Sequence, residues 1–146
     1  MATGDRTDPL RGYNFRLEID GIQRAGFRDC KGIDVKSEPI KYREGTDKAY
    51  TSRQLPGMWT PTPLVLSGGV YADDKSLSDW HQQTVNGKTE RKNGSVCLLD
   101  ESGEEKIRWN FVDGWPSGLE GPSLNAVGNE VAIETLTIAH EGITRA

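Results

Sequence analysis

The sequence predicts a mainly β fold with one flanking α-helix, and three features of the chain support this prediction. Apolar and polar residues alternate in several short runs, which is the period of a half-buried strand. Many of the 17 glycines fall between those runs, where they mark turns. Only residues 73–87 have the apolar spacing of an amphipathic helix.

Length and composition fit one folded domain over residues 1–146. Apolar residues make up 34% of the chain, but counting glycine brings the composition close to the usual range, so the chain should fold. Basic residues are interspersed with acidic ones and the net charge is −4, so we expect no specific nucleic-acid binding.

Cysteine usage and hydropathy indicate the cellular compartment in which the protein is made. Cys30 and Cys97 lack metal-ligand spacing, and the N-terminus has no apolar core of a signal peptide. No run approaches the roughly 20 apolar residues of a membrane span. We therefore expect a protein made in the cytoplasm with reduced thiols and no metal, cofactor or membrane span.

The N-terminal part begins with a polar stretch, residues 1–9, that we expect to form a flexible arm. Residues 13–20 alternate cleanly and predict a half-buried strand. Asp20-Gly21 is a turn signal, and a second strand is predicted over 22–27.

A third strand is predicted over residues 33–43, and its apolar phase slips by one residue. Val35 lies on one parity, whereas Ile40 and Tyr42 lie on the other, with Pro39 between them. Proline cannot donate to a sheet ladder. Either the strand carries an edge bulge, or it leaves its own core and joins a larger sheet.

Residues 44–62 are polar and predict a long projecting loop. A connection of this length in a compact domain is usually functional or disordered. Tyr50, Leu55, Met58 and Trp59 argue against complete disorder, because they offer apolar side chains for burial.

The helix prediction rests on capping and on one apolar stripe. Asp73, Asp74 and Ser76 suit the N-terminus of a helix, and Gly87 suits its end. The residues of the stripe, which we expect to pack on the sheet, are Leu77, Trp80, Thr84 and Val85.

The remaining strands are predicted at 64–71, 95–99 and 106–112, followed by a structured loop at 113–129. The last strand, 130–141, has a second phase slip. Val131 and Ile133 point to one face, and Leu136 and Ile138 point to the other, which requires a bulge or a change of buried face.

No catalytic constellation is evident. His81 and His140 lie in no triad or metal motif, so we expect surface or interface positions. Trp80 fits an apolar stripe and is interpreted as core, as is Trp109, whereas Trp59 and Trp115 sit in predicted loops and remain open as contact residues.

Seven segments along the chain resemble the tail tube proteins of contractile-tail phages and related contractile injection particles. They cover residues 8–144 in the family's order, and residues 59–63 depart most from its pattern. The segments are DPLRGYNFRLEIDGI, AGFRDCKGI, YREG, LPG, NGKTERKNGSVCLLDESGEE, RWNFVDGWP and VAIETLTIAHEGI.

This resemblance implies a small β-barrel or sandwich of which six copies close into a hexameric ring. Rings would stack into a hollow tube inside a contractile sheath, together with baseplate and tail-terminator proteins. A cargo protein or DNA would pass through the lumen. Strands 33–43 and 64–71 would belong to the inner barrel, so the loop between them would make the ring-to-ring contact.

Specific residues follow as candidates for assembly. For ring stacking they are Glu44, Tyr50, Leu55, Met58 and Trp59. For contacts between subunits they are Val35, Ile40, Tyr42, Val131, Ile133, Leu136 and Ile138.

Two other classes of function compete with the tube protein. The first is a monomeric β-sandwich binding module, for example for glycans, that uses the tryptophans in loops. The second is an enzyme of unknown type, which the residues support poorly.

Overall fold

A computed structural model describes the fold over most of the chain. The described residues are 10, 12, 14–20, 27–46, 48, 50–70, 72, 75–128 and 130–146. The strands are β1 (Phe15–Ile19), β2 (Asp29–Lys31), β3 (Val35–Ser37), β4 (Ile40–Tyr42), β5 (Arg53–Leu55), β6 (Trp59–Pro61), β7 (Leu64–Gly69), β8 (Lys92–Leu99), β9 (Glu105–Glu120), β10 (Ile133–Ala139) and β11 (Gly142–Arg145), with one helix, α1 (Ser76–Val85).

Two antiparallel sheets share one long strand. Sheet A has the order β1–β8–β9–β11, and sheet B has the order β9–β10–β7–β2. β9 spans 16 residues and passes from one sheet to the other. At the crossing Asp113 has a φ of 51°, and Gly114 follows it. A Cβ at Gly114 would come within 2.7 Å of the Phe111 ring, so this position requires glycine.

The predicted loop at 113–129 is wrong over residues 113–120, which continue β9. Glycines and Pro116 in this stretch argued against a strand. Pro116 is accommodated because it lies opposite Ile138, beside a register shift in the β9–β10 pair, where ladder hydrogen bonding is interrupted.

The core lies between the two sheets. It is formed by apolar side chains from both sheets, from the helix and from the segment before β2: Leu17, Ile19, Phe27, Leu64, Leu66, Leu77, Trp80, Val96, Phe111, Leu136, Ile138 and Ile143.

The predicted contact between subunits is therefore wrong for Leu136 and Ile138, which are fully buried in the chain's own core. Of the two explanations for the phase slip in the last strand, a bulge or a change of buried face, the structure shows the change of buried face. β10 pairs with β7 in continuous register, and Ile133 points to the face opposite Leu136. Val131 precedes the strand.

Residues 35–61 form a long β-hairpin outside the two main sheets, here named the hairpin arm. β3 pairs with β6 near its base, and β4 pairs with β5 farther out. The predicted single strand at 33–43 is wrong because Glu38-Pro39 divides it. The predicted loop at 44–62 is too long, since it contains β5 and β6 and only 43–52 connects β4 to β5.

Helix α1 packs on β9. Leu77 and Trp80 are buried, and the Trp80 Nε1 donates a hydrogen bond to the Glu90 carbonyl over 2.8 Å. Thr84 is half-buried, but Val85 is 62% exposed and does not pack on the core as predicted. The helix ends at Val85, and the chain turns away through Gly87 with a φ of 82°.

Several predictions fall outside the described residues. They are the flexible arm at 1–9, most of the strand at 22–27, and the capping residues Asp73 and Asp74. The N-cap position is Lys75, without a side-chain cap hydrogen bond, so Ser76 is the first helical residue and not the cap.

We predict that Trp80→Ala lowers the free energy of unfolding by about 3–5 kcal/mol, because it leaves a cavity under α1. Val85→Ala on the same helix should change it by less than about 0.5 kcal/mol, because that side chain is exposed. Urea denaturation of both variants measures the difference. Equal stabilities would contradict the packing of α1 through Trp80.

Candidate assembly surfaces

The hairpin arm exposes most of its apolar side chains. Tyr50 is 96% exposed, Met58 89% and Trp59 65%, and β4 and β5 contact mainly each other among the described elements. The arm also carries a hollow of about 280 Å³, lined by Ser37, Pro39, Gln54, Leu55, Pro56 and Trp59. Such a concentration of exposed apolar side chains marks an interaction surface.

Local hydrogen bonds shape the arm. The Gly57 amide donates to the Ser37 hydroxyl over 3.1 Å. A Cβ at Gly57 would lie 2.2 Å from the Glu38 carbonyl oxygen, so the two halves of the arm approach closely only with glycine there.

At the outer end of the arm, polar contacts join exposed side chains. The Tyr42 hydroxyl donates to the Glu44 carboxylate over 3.2 Å. The Arg43 guanidinium lies 5.9 Å from the centre of the Tyr50 ring, within the range of a cation–π contact. Glu44 and Tyr50, both predicted for ring stacking, therefore take part in contacts at the same end of the arm.

The base of the arm is fastened to the end of sheet B. The Thr62 amide donates to the Asp34 carbonyl over 3.0 Å. His140 is 9% exposed, and its Nε2 lies 2.9 Å from the Thr62 carbonyl, which can only accept, so Nε2 carries the hydrogen. Of the surface and interface positions that the sequence left open for His140, the surface position is wrong, because its ring is buried beside Phe111 under the base of the arm.

The face of sheet B that points away from the core is mainly polar. Asp29, Ser67 and Thr135 are aligned across three strands, and the next row is Lys31, the half-buried Val65 and Thr137. The hydroxyls of Ser67 and Thr135 lie 3.3 Å apart and hydrogen-bond to each other. An antiparallel sheet face of mainly polar side chains can be exposed to water.

Both edges of sheet B are open within the described residues. β2 is one edge, and residues 115–120 of β9 form the other, because β8 pairs with β9 only as far as Gly114. Open edges present unpaired backbone groups that can pair with another chain.

A second exposed apolar surface lies between β9 and β10. We name residues 120–134 the acidic rim, because the sequence there has three glutamates and no lysine or arginine. Val127 is 94% exposed, Leu124 82% and Val131 75%. The rim is held at the end of β7 by a hydrogen bond of 3.1 Å from the Val70 amide to the Ala132 carbonyl.

The sequence interpretation did not name Leu124 and Val127 as candidate interface residues. The signal that could have found them is their position as isolated apolar residues in an acidic segment rich in turns. Other predicted interface residues are exposed to differing degrees. Val35 is 39% exposed, Ile40 54% and Tyr42 45%, whereas Ile133 is half-buried.

Charges on the outer face of sheet A are largely paired with one another. Arg108 donates to Glu18 through Nη1 and to Glu105 through Nη2, each over 3.0 Å, and the Arg16 Nε lies 3.0 Å from Glu18. The hydrogen bond from Arg108 lowers the pKa of Glu105. This face therefore presents a self-contained ion-pair network.

No metal site is formed by the described part of the chain, where no three His, Cys, Asp or Glu side chains group around a common point. The helix in that part is too short and too polar to cross a membrane.

Trp80 is buried and Trp109 packs against the core, while Trp59 lies on the arm. Trp115 was expected in a loop but lies half-buried in β9.

This structure, a two-sheet β fold with one flanking helix, a projecting hairpin and open sheet edges, defines a subunit built for assembly. The family model described as T4-like virus tail tube protein gp19 matches residues 11–144. The chain belongs to this family of tail tube proteins.

Solved structures of contractile injection particles resemble the chain. A chain of the sheath–tube complex of an extracellular contractile injection system, PVC, has 25% identity and a TM-score of 0.82, covering 94% of this chain and 91% of that chain. A chain of the tube-terminating cap of the anti-feeding prophage has 26% identity and a TM-score of 0.82, covering 100% and 99%. Comparison with curated proteins gave no match.

More distant structures share the fold alone. Hcp1 from Flavobacterium johnsoniae has 14% identity and a TM-score of 0.56, covering 90% of this chain and 93% of its own. The predicted tail-tube fold class is confirmed, and the protein is a structural protomer of the inner tube of a phage tail or contractile injection particle. The monomeric glycan-binding module is not favoured.

Both native cysteines should resist alkylation. Burial, reinforced by the Asp29 charge, raises the pKa of Cys30 to about 11, against an ordinary 9.0. At pH 8 the thiolate fraction of Cys30 is therefore about 100-fold lower than that of an exposed cysteine. Cys97 is fully buried. We predict slow iodoacetamide labelling at pH 8 and a Cys30 rate that still rises between pH 9 and 11. Peptide mass spectrometry measures it, and labelling at the rate of free cysteine would contradict this environment.

Proposed function

We propose that six copies of this protein close into a ring through sheet B and that the rings stack into a hollow tube. The observation that carries the proposal is the combination, in one sheet, of two open edges and one polar face. Pairing of β2 with residues 115–120 of the next copy would extend the sheet across the subunit boundary. The interface is heterologous, and a closing rotation ends it in a ring without free edges.

In this ring the polar face of sheet B lines the lumen. Ser67, Thr135 and Thr137 would keep the wall wet, and Asp29 and Lys31 would offset each other's charge. Such a wall has no basic footprint, so a cargo protein or DNA could pass through it without being held.

A sheath protein and a baseplate are the proposed partners outside the tube, with a terminator protein at its end. Support comes from the similarity to chains of a sheath–tube complex and of a tube-terminating cap. The outer face of sheet A would bind a sheath only weakly, so the sheath could slide off it during contraction. The reason is that its charges are already paired within the subunit, between Arg16, Glu18, Glu105 and Arg108. The subunit would be made in the bacterial cytoplasm and would act as a structural component, not as an enzyme.

The hairpin arm is the proposed ring-stacking element, with Glu44, Tyr50, Leu55, Met58 and Trp59 as its contact residues. Its exposed apolar side chains would be buried against the next ring. Six copies act together at each ring boundary, so a contact that is weak alone becomes strong by multivalency.

We predict that the purified protein at high concentration forms rings and hollow rods, which negative-stain electron microscopy with six-fold averaging would show. Sheath and baseplate proteins should promote long tubes. Particles that stay monomeric even with these partners would refute the tube function.

A pair of glycine substitutions tests the role of the arm. Gly57→Ala should leave the subunit folded but abolish tube extension, because the new Cβ forces the two halves of the arm apart at Glu38. Gly45→Ala, also in the arm, should extend normally, because no atom of the described residues lies within 4 Å of its Cβ position.

Thermal denaturation checks folding of both variants, and tube length in electron micrographs measures extension. Tubes of normal length from Gly57→Ala, with the arm shown to be displaced by altered Trp59 fluorescence, would contradict the stacking role.

A further inference from the structure

The two exposed apolar surfaces of the chain lie at opposite ends of sheet B. The hairpin arm leaves the sheet beside Leu64, where β7 begins. The acidic rim lies where β7 ends, since Gly69 pairs with Ile133 and Val70 bonds to Ala132. A strand of six residues spans about 20 Å. The arm base and the rim are therefore well separated within one subunit.

The two surfaces have opposite charge. The hairpin arm contains five basic and three acidic residues, a net charge of +2 in a chain whose total is −4. The acidic rim has a net charge of −3, from Glu120, Glu130 and Glu134. Opposite potentials of this kind orient two partners as they approach and disfavour contacts between like ends.

The two surfaces also match in their apolar content. The hollow of about 280 Å³ on the arm lies between Pro39, Leu55 and Trp59 and is open to solvent. On the rim, Leu124 and Val127 are aliphatic side chains exposed by more than 80%. Burial of a fully exposed aliphatic side chain in such a hollow is favourable.

We propose that the acidic rim of one copy is the docking surface for the hairpin arm of a second copy in the neighbouring ring. This inference rests on the proposed tube and names the partner surface of its stacking arm. Because the donor and the acceptor lie at opposite ends of the subunit, the contact is head-to-tail and repeats without limit along the tube. It also gives the tube a polarity, with arms exposed at one end and acidic rims at the other.

Photo-crosslinking at the rim tests the docking. Val127→Cys is labelled with a benzophenone maleimide. The native thiols react with it slowly, because Cys97 is buried and Cys30 is half-buried with a raised pKa. The labelled protein is mixed at about one part in ten with unlabelled protein carrying ¹⁵N, so that tube growth is governed by native contacts. Irradiated tubes are digested, and crosslinked peptides are identified by mass spectrometry.

We expect crosslinks from position 127 to ¹⁵N peptides within residues 35–61. Val85→Cys is the matched control, because it is also an exposed valine but lies at the end of α1, and it should give no crosslink to the arm. Tubes whose position 127 crosslinks only outside residues 35–61, or to no other copy, overturn the docking while leaving the tube function intact. Absence of tubes from the unmodified protein, even with sheath and baseplate proteins supplied, refutes the tube function and the docking with it.

A charge reversal provides a second test without a label. Glu130→Lys should raise the subunit concentration needed for elongation roughly fivefold at low salt, with a smaller effect at high salt. Asp79→Lys makes the same change of charge on α1 and should leave elongation unchanged. Equal elongation by the two variants at low salt would overturn the charge complementarity that supports the docking.

Discussion

The packing of Phe111 at the crossing between the two sheets is the constraint on which the other features depend. Its ring is 1% exposed and lies against two glycines, since a Cβ at Gly94 would come within 2.5 Å of it and one at Gly114 within 2.7 Å. β9 passes from sheet A to sheet B directly after this residue. The chain passes back from sheet B to sheet A between β10 and β11, at His140. The centre of the His140 ring lies 6.0 Å from that of Phe111. Close packing at this point sets the angle between the sheets.

This crossing also positions the arm. His140 connects the core beside Phe111 to the Thr62 carbonyl at the base of the hairpin. The arm is thus fixed at its base by buried contacts, while its outer half makes few contacts with the rest of the subunit. A rigid base and an exposed outer half suit an element that must reach a neighbouring molecule in a defined direction.

Tube assembly and solubility place opposite demands on such a subunit. Exposed strands and apolar side chains favour association, yet the free subunit must not aggregate. The chain meets both demands by keeping β2 short and by surrounding the exposed apolar groups with charge. Lysines and arginines lie on the arm, and glutamates lie on the rim, so identical surfaces repel each other and unlike surfaces attract.

The sequence by itself determined the β class, the helix and its buried residues Leu77 and Trp80, because local periodicity reports which face of an element is apolar. It also indicated that residues 33–43 and 130–141 present apolar groups to two environments. The family resemblance, carried by segments spread over nearly the whole chain, was sufficient to indicate a tail tube protein.

Only the tertiary structure decided which environment each residue has. Leu136 and Ile138 belong to the chain's own core, whereas Ile40 and Tyr42 lie on an exposed arm, although the same period-two alternation describes both pairs. Periodicity distinguishes two faces but not what covers them. Likewise, residues 113–120 carry glycine and proline as loops do, and the strand there is stabilised by pairing with β10, which is distant in sequence. Contacts of that kind, including His140 with Thr62 and the opposed ends of sheet B, arise from topology and leave no local signal in the chain.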